Sequence, residues 1–466
     1  MSPTCSPLRG PATRVLQVSH QILASGSSTS SRQMNLQQRR LFPCSLTTTT
    51  TSSATSRRFS SASSSSTTEA EVLYAPYDPT STSKTTSSTT SSKLHCVTLN
   101  RPKKLNSLSL TMIELLEEIY ENRIPRQDAI VWLEGAGEKA FCAGGDVAAL
   151  AEALRGSKCA DRTLGGEFFH KEYKLDYKIA QKNQENVVTV SVWDKIVMGG
   201  GVGLGFHNPI RIVTEKTMFA MPETKIGLFP DVGMTWGLSR LANRSPVAIA
   251  RFLGLTGARL NAADCVNFGV GTHFVKQQDL EAVKAHLGSF TGAVTPTAVQ
   301  SHLEKLEDVV VKEVSKLDSV GVQPTISGAD SELISRCFGH SAESVEAVMQ
   351  RLEDEKTDFA EKYLKLLRDM SPLSLKVSFA AMERHRSDAE TLRSALRTEY
   401  KMAMHCLRPQ PEADFAEGVS ALLLEKRAAK WSHEKVQDVP KALVDSYFAT
   451  IEGVKELGPW GKELDI

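Results

Sequence analysis

Two glycine-rich turns, each closing a short apolar or β-branched run and each opening a helical pattern, restrict this chain more than any other feature. The first, Phe141-Cys142-Ala143-Gly144-Gly145-Asp146, comes after the apolar run 129–133 and before the helical spacing of 147–154. The second, Met198-Gly199-Gly200-Gly201-Val202-Gly203-Leu204-Gly205, follows the β-branched run 187–192 and also enters a helix. Glycine allows positive φ and close backbone approach, and a helix start leaves N–H groups free for negative charge. Two such turns aimed at one point can hold an oxyanion between backbone amides. A dinucleotide loop does not fit. Counting G-x-G-x-x-G from Gly199 and Gly201 puts Leu204 and Phe206 where glycine is needed, and no G-x-x-x-x-G-K-[ST] occurs. The competing structural reading is that the glycines only permit tight helix–strand packing.

The strand and helix patterns alternate through the middle of the chain. Residues 94–99, 129–133, 187–192, 210–213 and 218–220 read as strands, with helices over about 147–154 and 167–180 between them. Thr111 with Glu114 reads as a capping box for a helix carrying Leu115, Leu116 and Ile119. This alternation predicts an α/β core over 93–278. From about 279 to 466 the pattern turns to charged helical segments such as 345–352, 359–369 and 389–403, which predicts a helical C-terminal region covering that core.

The N-terminal part reads differently. No acidic residue precedes Glu69, seven arginines and no lysine occur there, and Ser and Thr abound. That is the composition of an organelle transit peptide, and the arginine pairs favour the mitochondrion. Residues 1–68 are therefore read as a mitochondrial transit peptide and 69–92 as a disordered Ser/Thr-rich linker. Across all 466 residues the formal charge is only +1, against a DNA-binding role. No apolar stretch is long enough for a membrane span. The eight cysteines form no C-x-x-C pair or zinc spacing, so neither a disulfide scaffold nor a metal site is expected.

Taken with Asn100-Arg101-Pro102, Leu105-Asn106, the run Met221-Pro222-Glu223-Thr224…Gly227-Leu228-Phe229-Pro230-Asp231-Val232-Gly233 and the segment 414–419, the two loops resemble the enoyl-CoA hydratase/isomerase (crotonase) superfamily over about 93–466. Within it, the Glu223-to-Gly233 run is similar to the branch that hydrolyses 3-hydroxyisobutyryl-CoA in valine breakdown. The resemblance implies a spiral of ββα units and a CoA thioester whose carbonyl oxygen sits between the N–H groups of Ala143 and Gly200. It implies no metal and no separate cofactor, because CoA arrives with the substrate; with the transit-peptide composition of residues 1–68, a mitochondrial matrix location is expected.

The resemblance also separates two chemistries. The related hydratases use two glutamates, one at the position of Gly203 here, where no acid–base chemistry is possible. The other corresponds to Glu223, and a second carboxylate stands at Asp231. Glu223 is expected as base or nucleophile, Asp231 as the group that binds the substrate hydroxyl or manages protons, and Glu172 as a further substrate contact. The bland reading of Asp231 is a helix cap, and Asp146 reads as an N-cap. His95, His207 and His273 show no catalytic pattern. Lys195, where the family usually has glycine, is expected to strain a turn, and Met234-Thr235-Trp236 to narrow the acyl pocket. An enoyl-CoA hydratase or isomerase, a structural subunit of the mitochondrial small ribosomal subunit and a homo-oligomer stay open at this point.

Overall fold

Strands β3 (Ala129–Gly135), β5 (Val187–Trp193) and β7 (Ile210–Val213) carry apolar residues at nearly every position, the pattern of strands buried on both faces. In the computed structural model, which describes residues 70–78, 92–155, 162–452 and 454–466, they form the middle of a six-stranded sheet. Adding β1 (Val72–Pro76), β2 (Leu94–Leu99) and β9 (His273–Phe274) gives the order β1-β2-β3-β5-β7-β9, parallel throughout except at β1. Successive residues of β3 enter different cores. Val131 and Leu133 face the large one; Ile130 and Trp132 face a second, smaller one.

A second, smaller parallel sheet stacks β4 (Ala140–Cys142), β6 (Ile196–Met198) and β8 (Met218–Ala220). β3 continues into β4, β5 into β6 and β7 into β8, and helices α2 (Val147–Arg155) and α4 (Gly200–Phe206) follow the first two pairs. Each pair therefore adds one strand to each sheet before the helix returns the chain, which makes a crotonase-like spiral of ββα turns. Both glycine loops leave the small sheet at the same end, because β4 and β6 are parallel neighbours.

From residue 280 onward the chain is mostly helical among the described residues. The helices Leu280–Gly288 and Pro296–Leu303 cover the smaller core through Val283, Leu287, Val299 and Leu303. These helices share that core with the strands β2, β3, β5 and β7.

Two local expectations are corrected. The linker 69–92 is not structureless throughout: it contains β1 (Val72–Pro76), whose register pairs Val72 with Leu99, and the Tyr74 hydroxyl bonds His95 Nδ1 at 2.9 Å. β-branched and aromatic residues suit a pleated edge, and β2 supplies the ladder that composition does not reveal. The rest of that segment, 79–91, and the transit-peptide reading of 1–68 lie outside the described residues. Helix α1 (Leu110–Glu118) starts two residues earlier than Thr111 implied. Ser109 caps it, accepting from the Met112 amide at 3.0 Å.

Candidate active site

The glycines of the two loops pack where side chains would not fit. Gly199 stands at φ 48°, ψ −127°, a conformation for which glycine is suited, and α4 starts at the next residue. A Cβ on Gly201 would lie 2.6 Å from Cys142 Cβ, and one on Gly199 3.4 Å from Gly144 Cα. The loops thus touch, backbone against backbone. The same construction locates the acids: a Cβ on Gly199 would be 3.1 Å from Glu223 Oε1, and one on Gly200 would collide with Glu172 Oε1.

Ala143, Gly200, Glu172, Glu223 and Asp231 all line one cavity of about 540 Å³, with Phe168, Phe169, Leu228, Leu422 and Leu423 as its apolar wall. Helix α3 (Thr163–Lys182) carries Glu172 into it. Glu223 opens a 3₁₀ turn (Glu223–Ile226) ending at Gly227, φ 76°. The segment 414–419 lies directly against that turn, so Gly227 and Gly418 have no room for a Cβ. Asp414 accepts from Ser371 Oγ at 2.6 Å, and the Ser371 amide donates to Thr224 O at 3.2 Å, which ties the turn to the C-terminal helices.

One expected donor is engaged elsewhere. The Ala143 amide donates to Leu105 O at 3.1 Å, because the Leu105-Asn106 turn folds back over the first loop, so Ala143 and Gly200 do not both present free amides. Among the described residues, no acceptor takes the amides of Gly144 or Gly200, the latter being the first residue of its helix.

The acids form a buried cluster. Glu223 and Asp231 are each 4% exposed, and Glu172, Asp176 and Glu399 are buried as deeply. Tyr173 Oη donates to Asp231 Oδ2 at 2.8 Å, whereas Glu172 Oε1, Glu223 Oε2 and both Asp176 oxygens have no partner. Burial, then the charge of Asp231, holds Glu223 well above the usual carboxylate range. Burial, then Asp231, Asp176 and Glu223, does the same to Glu172. Burial pushes Asp231 up to about 7, the Tyr173 bond partly opposing it. Such a cluster keeps protons near neutral pH and can both take and give them.

Residues 94–448 match the enoyl-CoA hydratase/isomerase family. The chain belongs to that family. Among relatives within the family, it is 37% identical to the "3-hydroxyisobutyryl-CoA hydrolase, mitochondrial" of Xenopus laevis, across 76% of this chain and 86% of that one. Identity to the protein of the same name from Danio rerio is 38%, over 77% and 88%. It is 35% to "3-hydroxyisobutyryl-CoA hydrolase 1" of Arabidopsis thaliana, over 78% and 92%. Similar solved structures include a carnitinyl-CoA dehydratase from Mycobacterium thermoresistibile, with TM-score 0.63 and 29% identity over 78% of this chain and 95% of that one. An enoyl-CoA hydratase from Rhodobacter sphaeroides has the same score and identity, over 85% and 100%.

Within this family fold, the position of Gly203 is filled from outside. A Cβ there would meet Asp176 Oδ2 and Val232 Cβ, each at 2.6 Å. Asp176, Tyr173 and Glu399 were not singled out from the sequence. Glu172 and Asp176 are one helical turn apart, a spacing that puts both on one face of α3 and could have flagged the pair. Glu399 offers no local signal.

The competing roles are settled by partners. The helix after Asp231, Met234–Gly237, starts from Gly233 with no side-chain cap, so Asp231 is not a cap. Asp146 pairs with Arg101 at 3.1 Å. His207 Nε2 donates to Val232 O at 2.9 Å, and His273 is buried with Nδ1 2.8 Å from Thr272 Oγ1. Lys195 does adopt a left-handed φ of 74°. Met234, Thr235 and Trp236 do not line the cavity, contrary to expectation, because the turn points them at the C-terminal helices, where Trp236 Nε1 donates to Glu390 O at 3.0 Å.

Proposed function

We propose that the chain hydrolyses the thioester of 3-hydroxyisobutyryl-CoA, or of a similar short 3-hydroxyacyl-CoA, to the free acid and CoA in valine catabolism. The observation that carries this reading is the Glu223 carboxyl standing against Gly199, beside an unbonded Gly200 amide, in a cavity that Asp231 also lines. The relatives' names support a mitochondrial hydrolase, and the acid-free N-terminus supports a matrix destination. They do not favour the hydratase or ribosomal readings.

In this reading the thioester oxygen takes the Gly200 amide as one donor. The second comes from the Ala143-Gly144 turn, where the Gly144 amide is free and the Ala143 amide would first have to leave Leu105. Glu223 removes a proton from water as the water oxygen bonds the carbonyl carbon, or attacks that carbon itself to form a mixed anhydride. The C–S bond then breaks, and the departing thiolate takes its proton from the carboxyl cluster; on the second route water afterwards adds to the anhydride, releasing the free acid and restoring the Glu223 carboxylate. Asp231, with one oxygen held by Tyr173, offers the other to the substrate hydroxyl. Glu172 lines the same wall. The steps proposed use no cofactor beyond the substrate's own CoA.

Protein lacking residues 1–68, supplied with a panel of short acyl-CoAs, should release thiol fastest from the 3-hydroxyisobutyryl thioester. Absorbance change with an enoyl-CoA and no thiol release would replace this reading with a hydratase. A second expectation concerns pH. kcat/KM should rise with pH as Asp231, pushed up to about 7, and Glu223, held well above the usual carboxylate range, lose protons, and Asp231→Asn should move that limb to lower pH, because the Asp231 charge is what holds Glu223 up after burial. A limb that stays in place would show that these carboxyls do not set it.

A further inference from the structure

We infer that Glu399, on the helix Leu392–Cys406, is a positioning residue for Asp231, clamping the 232–235 turn so that the Asp231 carboxyl stays in the cavity. This deepens the hydrolase reading and rests on it. Glu399 does not line the cavity and cannot touch the substrate. It is fully buried, and its side chain ends on the turn that follows Asp231.

That turn needs holding. Val232 adopts φ 54° and Gly233 φ 82°, and a β-branched residue with positive φ persists only where its surroundings enforce it. Glu399 Oε2 accepts the Gly233 amide at 2.6 Å. Glu399 Oε1 accepts the Thr235 amide at 3.1 Å and also bonds Thr235 Oγ1. Thr235 Oγ1 is in turn 2.7 Å from His385 Nδ1. From the other side His207 Nε2 donates to Val232 O, at 2.9 Å. A Cβ on Gly233 would lie 2.5 Å from Leu392 Cδ1 and 2.6 Å from His207 Nε2, so the turn has no room to drift while the clamp is closed.

Both oxygens of Glu399 keep a lone pair for the two amides whether or not the carboxyl holds a proton. A glutamine has one such oxygen and turns an N–H₂ toward the other amide. Without the clamp two buried N–H groups lose their acceptor. Val232 is then free to return to negative φ, which rotates Asp231 away from Tyr173 and the cavity.

The test is a double-mutant cycle in the full protein with thiol release as the readout, joined to crystal structures of the wild type and of Glu399→Gln. Glu399→Gln should lower kcat roughly 10-fold and Glu399→Ala roughly 100-fold, with KM changed by less than about 3-fold. On an Asp231→Asn background either change should cost less than about 3-fold more, since the residue it positions is already gone. The Glu399→Gln crystal should show Val232 out of positive φ, or Asp231 detached from Tyr173. Losses that multiply independently, or a turn that stays unmoved in that crystal, would overturn the assignment. If Glu399→Ala fails to fold, Glu399→Gln carries both measurements. If the wild type releases no thiol but the turn still shifts in Glu399→Gln, the hydrolase reading fails and the clamp stands.

Discussion

Glu223→Gln should lower kcat for acyl-CoA hydrolysis by about 10²–10⁴-fold, the range for loss of a general base, while leaving the protein folded. The expectation follows from what Glu223 does not do. Among the described residues its Oε2 has no partner and its carboxyl forms no ion pair, so an isosteric amide removes no ion pair on which packing depends. The substitution should even stabilise the protein at alkaline pH. The ionisation of Glu223 is raised in the folded state, so this carboxyl favours folding below its unfolded value. That contribution is lost as pH rises through the displaced one. Glutamine does not titrate and escapes the loss. Thermal unfolding at pH 5.5 and pH 8.5 should therefore show the variant gaining on the wild type at the higher pH. Thiol release by the variant at the wild-type rate would eliminate Glu223 as the reacting carboxyl.

Gly200→Ala should cost about 10²–10³-fold in kcat, the range for loss of one oxyanion donor. Gly200 has ordinary backbone angles, so alanine brings no conformational strain of its own. What it brings is a methyl that collides with Glu172 Oε1 and reaches 3.1 Å from Leu108 Cδ1 and 3.3 Å from the Gly145 amide. Glu172 or the start of α4 must move, and either motion displaces the free amide at position 200. Gly328→Ala, where a Cβ would meet nothing within 4 Å, is the control and should keep wild-type turnover. If the two variants behave alike in thiol release, the amide of residue 200 is not a donor to the thioester.

Much of this site was readable before any coordinates. The run from Glu223 to Gly233 places two acids on turns, and turn chemistry is local: Gly227 at φ 76° and Gly233 at φ 82° are positions that need glycine. The two glycine loops were legible for the same reason, and their meeting follows from the parallel pairing of β4 and β6. The Ala143 amide was not legible. Its engagement by Leu105 depends on a turn 38 residues upstream folding back onto the loop.

The sequence by itself determined the alternation of buried strands with helices and the glycine turns, each of which depends on periodicity or on the angles of a few neighbouring residues. The acids at 172, 223 and 231 are what the family resemblance implied. Only the tertiary structure decided which amides stay free, that β1 finds an edge to pair with, that Asp176 occupies the space beside Gly203, and that Glu399 reaches across 166 residues to hold the turn after Asp231. Those outcomes depend on desolvation and on distances between segments far apart in the chain. A carboxyl acquires a raised ionisation and a defined partner only where folding has removed water and brought other charges close.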